Sequence, residues 1–316
     1  MQTFAHHFAL AAPLFVLVFV GFGLAHWGNW PKAVSDALSR FVFSVALPAM
    51  LFRMMSDLSR LPPVDARLLL AFFGSCFIVF LIGRLVAWRA FRLDGTAQSV
   101  FALGGVFSNN VLLGVPLAKT TLGDAALPSV ALVLVFNALT LWTLVTVSVE
   151  WSRHGSFSVA GFGKTARSVL TNPIVASILG GTAFGLTGLP LPAPVAAPLD
   201  MIGQAAAPLA LVALGMSLAE YGLRAGWQQS AAMVAIKLLV QPLVVWALAV
   251  ALGLPAMETR VVVMLGSLAV GANVYLMSKQ FKTLEGPVAS SIVLSTAAAS
   301  VTAPLFLTLT GMFSPG

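Results

Sequence analysis

Cysteine is almost absent from the 316-residue chain: Cys76, in an apolar run, stands alone. One thiol forms no internal disulfide and no thiolate metal site, and it leaves the redox compartment open. Charge is scarce too, at 9% of residues, with 10 Asp and Glu against 17 Lys and Arg. His6, His7, His26 and His154 fall at ends and loops without ligand spacing, so no metal is expected. The Gly-x4-Gly-Lys-Ser/Thr cradle of an ATP-driven pump is missing as well. What is abundant is apolar: 59% hydrophobic residues and a mean hydropathy of +0.97 lie far outside the soluble range. The reading is a polytopic, all-helical membrane protein in contact with lipid. Its net charge of +7 sets topology and makes no nucleic-acid face.

Roughly twenty apolar residues cross a bilayer. Ten candidate spans follow, at about 8–28, 33–55, 67–90, 98–121, 125–150, 168–189, 198–220, 227–253, 258–281 and 287–312. Trp27, Trp30, Trp88, Trp151 and Trp227 fall at the proposed ends, where indoles favour the headgroup region. The first run lacks a basic leader and a small-residue cleavage site, so it reads as a retained span rather than a signal peptide. Odd-numbered loops and flanks carry eleven basic residues against five for the even ones. That places the odd loops in the cytoplasm and both termini outside. The loop 151–166, with Arg153, His154, Gly155 and Gly161, reads as a cytoplasmic linker between halves 1–150 and 167–316.

The fourth span is unusual. Gly104 to Leu117 holds Asn109 and Asn110, three Gly and Pro116, which an ordinary spanning helix avoids. Proline removes a donor and clashes with the preceding turn. Unwound backbone at membrane depth is tolerated only where it packs in protein or lines a cavity, so a break here points to a binding site. The ninth span repeats the theme with Gly266, Gly271 and Asn273, followed by Tyr275. A broken helix offers N–H groups that suit a carboxylate and carbonyls that suit a cation. Asn109, Asn110 and Asn273 would add amides that donate and accept; the competing reading is that they bond helix to helix.

Lys237 lies about ten residues into span 8, on the order of 15 Å deep at 1.5 Å per residue. An ionisable residue at that depth is a functional candidate: protonated it would pair with an anionic substrate or with polar groups of neighbouring helices, and desolvation would lower its pKa toward a range useful for proton coupling. Ser108, Asn137 and Gln241 are secondary candidates, the last two being residues that more often serve helix packing or a kink than a ligand. All ten carboxylates fall in loops or near span ends, so no acidic proton carrier or sodium ligand is evident.

Pro13 and Pro173, Gly21 and Gly181, Gly28 and Gly188, and Pro48 and Pro208 are each 160 positions apart. This pairs span 1 with 6 and span 2 with 7. Five spans per half is odd, so a repeat must be inverted in the membrane, an architecture common among secondary transporters.

Ser108-Asn109-Asn110-Val111-Leu112-Leu113-Gly114-Val115-Pro116-Leu117 resembles the Ser-Asn-x-x-x-x-Gly-x-Pro-Leu signature of the auxin efflux carrier family, which includes bacterial malonate-type carriers. The segments 237–243 and 271–276 are similar to later motifs of that family. The resemblance implies two inverted five-helix repeats in which spans 4 and 9 cross as broken helices. It also implies a scaffold of spans 1, 2, 6 and 7 (about 8–55 and 168–220), dimeric in the cell inner membrane. Spans 3–5 and 8–10 (about 67–150 and 227–312) would form the moving transport domain. In one departure, Ala269 stands where many members carry Pro in the second crossing.

The expected function is secondary transport of a small organic anion, a carboxylate such as malonate or an auxin-like acid, with Asn109, Asn110, Pro116, Gly271, Asn273 and Tyr275 at the site. No enzymatic role and no cofactor are expected; a coupling ion, if used, would be Na+ or H+. Bile-acid-type sodium symport, an anion channel, a sensor on the same fold and an intramembrane enzyme are the alternatives.

Overall fold

The structure, a computed structural model, describes residues 4–57, 64–154, 171, 173–221 and 226–313. Every regular element among them is a helix. Seven helices are long and apolar enough to span a membrane. They are α1 (Phe4–His26), α2 (Lys32–Met55), α3 (Arg67–Phe91), α6 (Leu127–His154), α8 (Ala193–Tyr221), α9 (Trp227–Ala251) and α12 (Glu285–Phe313). Large apolar side chains such as Phe19, Leu70, Leu81 and Val250 lie bare on their outer faces, as lipid contact requires.

Of the other three expected spans, 4 and 9 are interrupted and 6 is described only in part, its start at 168–170 and 172 lying outside the described residues. Span 4 is split into α4 (Gly95–Gly104) and α5 (110–122), and span 9 into α10 (Ala256–Gly266) and α11 (Asn273–Phe281). Span 6 is represented by α7 (Pro173–Gly185), 13 residues long. Most of the proposed linker, 155–166, lies outside the described residues, as do the basic residues Arg60, Lys164, Arg167 and Arg224.

Three helices open into a single π-turn, at Val42–Ala46 in α2, Asn110–Gly114 in α5 and Ile236–Val240 in α9. Each turn ends two residues before a proline: Pro48, Pro116 and Pro242. Proline cannot donate to the preceding turn and its ring presses on that turn's carbonyl. Widening the helix by one residue accommodates the ring without breaking the rod.

Helices α1, α2, α7 and α8 pack on one another, α1 against α8 and α2 against both α7 and α8. Glycine makes two of these contacts possible. A Cβ on Gly21 would fall on the Val212 carbonyl oxygen of α8, and one on Gly181 would lie 2.7 Å from the Phe52 carbonyl oxygen of α2. Side chains at either place would force the rods apart. Elsewhere α3 packs on α4 and α9, while α12 packs on α1, α9 and α10.

Candidate functional site

The two interrupted helices meet at their breaks. Asp94 caps the start of α4, its carboxylate accepting from the Ala97 amide at 2.9 Å. The helix stops where Gly104 and Gly105 touch α9: a Cβ on either would lie 2.7 Å from Met233 Sδ or Ile236 Cγ2. On the other side α10 ends at Gly266, and its last turn is held from within, Ser267 Oγ donating to the Met264 carbonyl at 2.8 Å.

Between the breaks two short stretches of chain run antiparallel. The Asn109 amide donates to the Ala269 carbonyl at 2.9 Å, and the Gly271 amide donates to the Phe107 carbonyl at 2.8 Å. Ser108 and Val270 face each other between these bonds. The Val270 amide turns away and donates to Ser295 Oγ on α12 at 2.9 Å. These three bonds pair backbone groups of the crossing within the protein, as burial at membrane depth favours. Gly271 permits the close approach, since a Cβ there would stand 3.0 Å from the Phe107 ring and 3.1 Å from the Ser108 carbonyl oxygen.

A cavity of about 140 Å³ opens against this crossing. Its polar side is built from Ser108, Asn109, Asn110, Asn137 and Asn273, with Gly271 and Ala272 between them. The rest of its lining is apolar, from Phe107, Val111 and Leu112 beside the crossing and from Phe43 on α2, Leu134 on α6 and Ile174 and Val175 on α7. The first residues of α5 and of α11, Asn110 and Asn273, both lie in its wall, so the N-termini of two helices, the positive ends of their dipoles, border one space. Asn110 Nδ2 donates to Asn137 Oδ1 at 3.3 Å, tying α5 to α6. Ser108 Oγ, Asn109 Nδ2 and Asn110 Oδ1 are buried and have no protein partner. Three such atoms on neighbouring residues of one cavity wall are groups that a water or a polar ligand there would satisfy.

Six of the expected site residues are thus together: Ser108, Asn109, Asn110, Asn137, Gly271 and Asn273. Four are elsewhere. Pro116 is buried inside α5 and acts through its π-turn. Tyr275 lies in α11 off the cavity wall, with the Lys279 ammonium 4.7 Å over its ring. Gln241 faces α3, Nε2 donating to Ser75 Oγ at 3.1 Å.

Lys237 is fully buried in the π-turn of α9 and donates to the Gly266 carbonyl, at the carbonyl end of α10. A cation suits that end of a helix. The ammonium thus bonds a helix carbonyl, and Lys237 is not among the residues that line the cavity.

Comparison with known proteins follows the same lines. The family model described as "Membrane transport protein" matches residues 6–307. The chain belongs to that family, the auxin efflux carriers. It is also similar, at 27% identity over 309 residues covering 96% of each chain, to a protein of Rhizobium meliloti (strain 1021) named "Putative malonate transporter". A membrane transport family fits a helical protein with several apolar spans and a polar cavity set among them.

Residues that sequence reasoning missed are mostly the apolar wall. Phe43, Leu134, Ile174 and Val175 are ordinary hydrophobic residues in ordinary spans, and nothing local to them signals a cavity. Ser295 carried a weak signal, being one of a string of hydroxyl residues in α12 that bond back to their own helix.

Proposed function

We propose that the chain is a secondary transporter of small organic anions, carboxylates such as malonate or auxin-like acids, bound where the two broken helices cross. The observation that carries this reading is the convergence of two helix amide ends and three unpartnered polar atoms on one cavity. Helix amide ends carry partial positive charge and bind carboxylates without a fixed cation. The malonate role in the related protein's name points to the same class of cargo.

The architecture behind this function is two inverted five-helix repeats in ten spans. Paired contacts support it. Gly21 touches Val212 and Gly181 touches Phe52; Gly21 and Gly181 are 160 positions apart, and so are Phe52 and Val212. One contact thus becomes the other when the halves are exchanged. The mutual packing of α1, α2, α7 and α8 supports their role as a scaffold, through which two copies associate in the inner membrane with both termini outside. The remaining helices carry the crossing and move against the scaffold as an elevator. The apolar wall from α2 and α7 is the surface they would slide along. The protein is a carrier and no enzyme, and Na+ or H+ is the coupling ion if one is used.

The test is flux into proteoliposomes of labelled malonate, longer dicarboxylates and indole acetate. Saturable uptake with counterflow is expected for at least one of them. Absence of both for every acid, with the protein monodisperse and folded, would sink the carrier reading.

A further inference from the structure

Charge is what the cavity lacks. Among the described residues lining it there is no Lys, Arg, His, Asp or Glu. Its positive potential comes from the amide ends of α5 and α11, each equivalent to roughly half an elementary charge. Together they match one carboxylate. A second ionised carboxylate would find no fixed positive charge, only neutral amides and a hydroxyl beside the apolar side chains of Phe43, Ile174 and Val175. The nearest buried ammonium, Lys237, is already bonded to the Gly266 carbonyl and does not line the space. An uncompensated charge at membrane depth is heavily penalised.

The unpartnered atoms sharpen the point. Asn109 Nδ2 is a donor and suits a carboxylate oxygen, and Ser108 Oγ can serve it too. Asn110 Oδ1 is an acceptor, its own Nδ2 being given to Asn137. A carboxylate oxygen has nothing to offer an acceptor; a hydroxyl or protonated carboxyl has a proton to donate.

We infer that the cavity takes its cargo as a monoanion that also carries a hydrogen-bond donor, so that a short dicarboxylate is bound and carried singly protonated. This rests on the carboxylate reading above. The ionised carboxylate sits at the two helix ends and the Asn109 amide, and the protonated carboxyl donates to Asn110 Oδ1. The dianion takes up one proton from water on the side of entry and gives it back to water on the side of release. One proton therefore accompanies each dicarboxylate, and one net negative charge crosses. The proton travels on the cargo, so transport coupled to protons needs no titrating side chain in the cavity wall.

Binding to the purified wild-type protein decides the matter, with malonate and malonamate, its half-amide, as probes. Malonamate is a monoanion with an N–H donor at every pH used. Between about pH 7 and about pH 9 the singly protonated fraction of malonate falls about tenfold per unit, and its apparent Kd should rise by the same factor. Malonamate should bind with a constant Kd across the range. Calorimetry in buffers of different ionisation enthalpy should show close to one proton taken up per malonate bound.

A malonate Kd that is flat with pH, or binding without proton uptake, overturns the inference and leaves the carboxylate reading standing. Failure of both probes and of every other carboxylate to bind a folded protein removes both. Asn110→Leu separates the acceptor's role from the charge argument: near pH 7 it should weaken malonate about tenfold more than it weakens a half-methyl ester, which has no donor. Equal loss for both ligands would overturn the assignment of Asn110.

Discussion

Replacement of Gly271 by alanine tests the crossing where it is tightest. The new methyl carbon would stand 3.0 Å from Phe107 Cδ1 and 3.1 Å from the Ser108 carbonyl oxygen, with the Ser108 carbonyl carbon at 3.3 Å. Relief needs a shift of a few tenths of an ångström, and two of these three atoms are backbone. The same shift stretches the 2.8 Å bond from the Gly271 amide to the Phe107 carbonyl. Overpacking of this size costs about 1–3 kcal/mol, and weakening one buried hydrogen bond adds up to about 1 kcal/mol.

The strain falls on chain segments that contribute Phe107, Ser108 and Asn109 to the cavity wall. Such sites tolerate only about 0.5 Å of displacement, so binding should suffer along with stability. Expected is a rise in the Kd for a bound carboxylate of roughly tenfold or more, about 1.4 kcal/mol. The fold should survive, because the long helices are untouched. Equilibrium binding and thermal unfolding in the same detergent measure both quantities. An unchanged Kd together with an unchanged melting temperature would refute the close packing of the crossing. A large loss of stability with unchanged affinity would refute its identity as the binding site.

Asn109→Ala and Asn273→Ala should each weaken carboxylate binding by about 1–3 kcal/mol, the loss of one buried hydrogen-bond partner, while melting stays close to wild type. Unchanged affinity by calorimetry would make them packing residues. Lys237→Met removes an ammonium and the hydrogen bond it gives the Gly266 carbonyl; the loss of that bond and the relief of burying a charge oppose each other. Stability should therefore change by less than about 2 kcal/mol while flux falls, and wild-type flux in proteoliposomes would remove Lys237 from the mechanism. Gly21→Ala places a methyl group on the Val212 backbone and should cost more than about 3 kcal/mol, read as a lower melting temperature and a poor yield of monodisperse protein.

How much of this was legible in the sequence depends on the kind of residue. The break in span 4 could be read from Asn109, Asn110 and Pro116 because each is costly in a lipid-spanning helix and therefore carries information. Gly271 and Asn273 marked the second break for the same reason. Lys237 announced itself by depth, but its partner is a carbonyl, and a carbonyl is present at every position of the chain. No sequence pattern tells which one it meets. Asn137 was ambiguous between packing and site, and in the structure it accepts from Asn110 and lies in the cavity lining, a position that local sequence does not distinguish from packing alone. The π-turns escaped notice because a proline in a span predicts only some accommodation, not a widened turn two residues earlier. The apolar wall was invisible for the opposite reason to Lys237: in a chain that is 59% hydrophobic, one more Phe or Val distinguishes nothing.

The two halves of the crossing reach the same shape by different chemistry, and this bears on what each half does. In the first, proline sets the geometry: Pro116 opens the turn at Asn110–Gly114 and leaves the start of α5 wide, with Ser108, Asn109 and Asn110 all presenting polar atoms that lack protein partners. In the second, Ala269 stands in place of proline, and the order comes from outside the segment. Lys237 holds the Gly266 carbonyl from α9, and Ser295 holds the Val270 amide from α12. The second stretch is therefore clamped by its neighbours, and its own side chains reaching the cavity are few: Ala272 and Asn273, with Gly271 contributing only backbone. A cargo that meets this arrangement finds most of its hydrogen-bonding groups on the α5 side and a rigid backstop on the α11 side. Substitutions on the first half should therefore alter which acid is bound, whereas loss of Lys237 or Ser295 should weaken every acid alike.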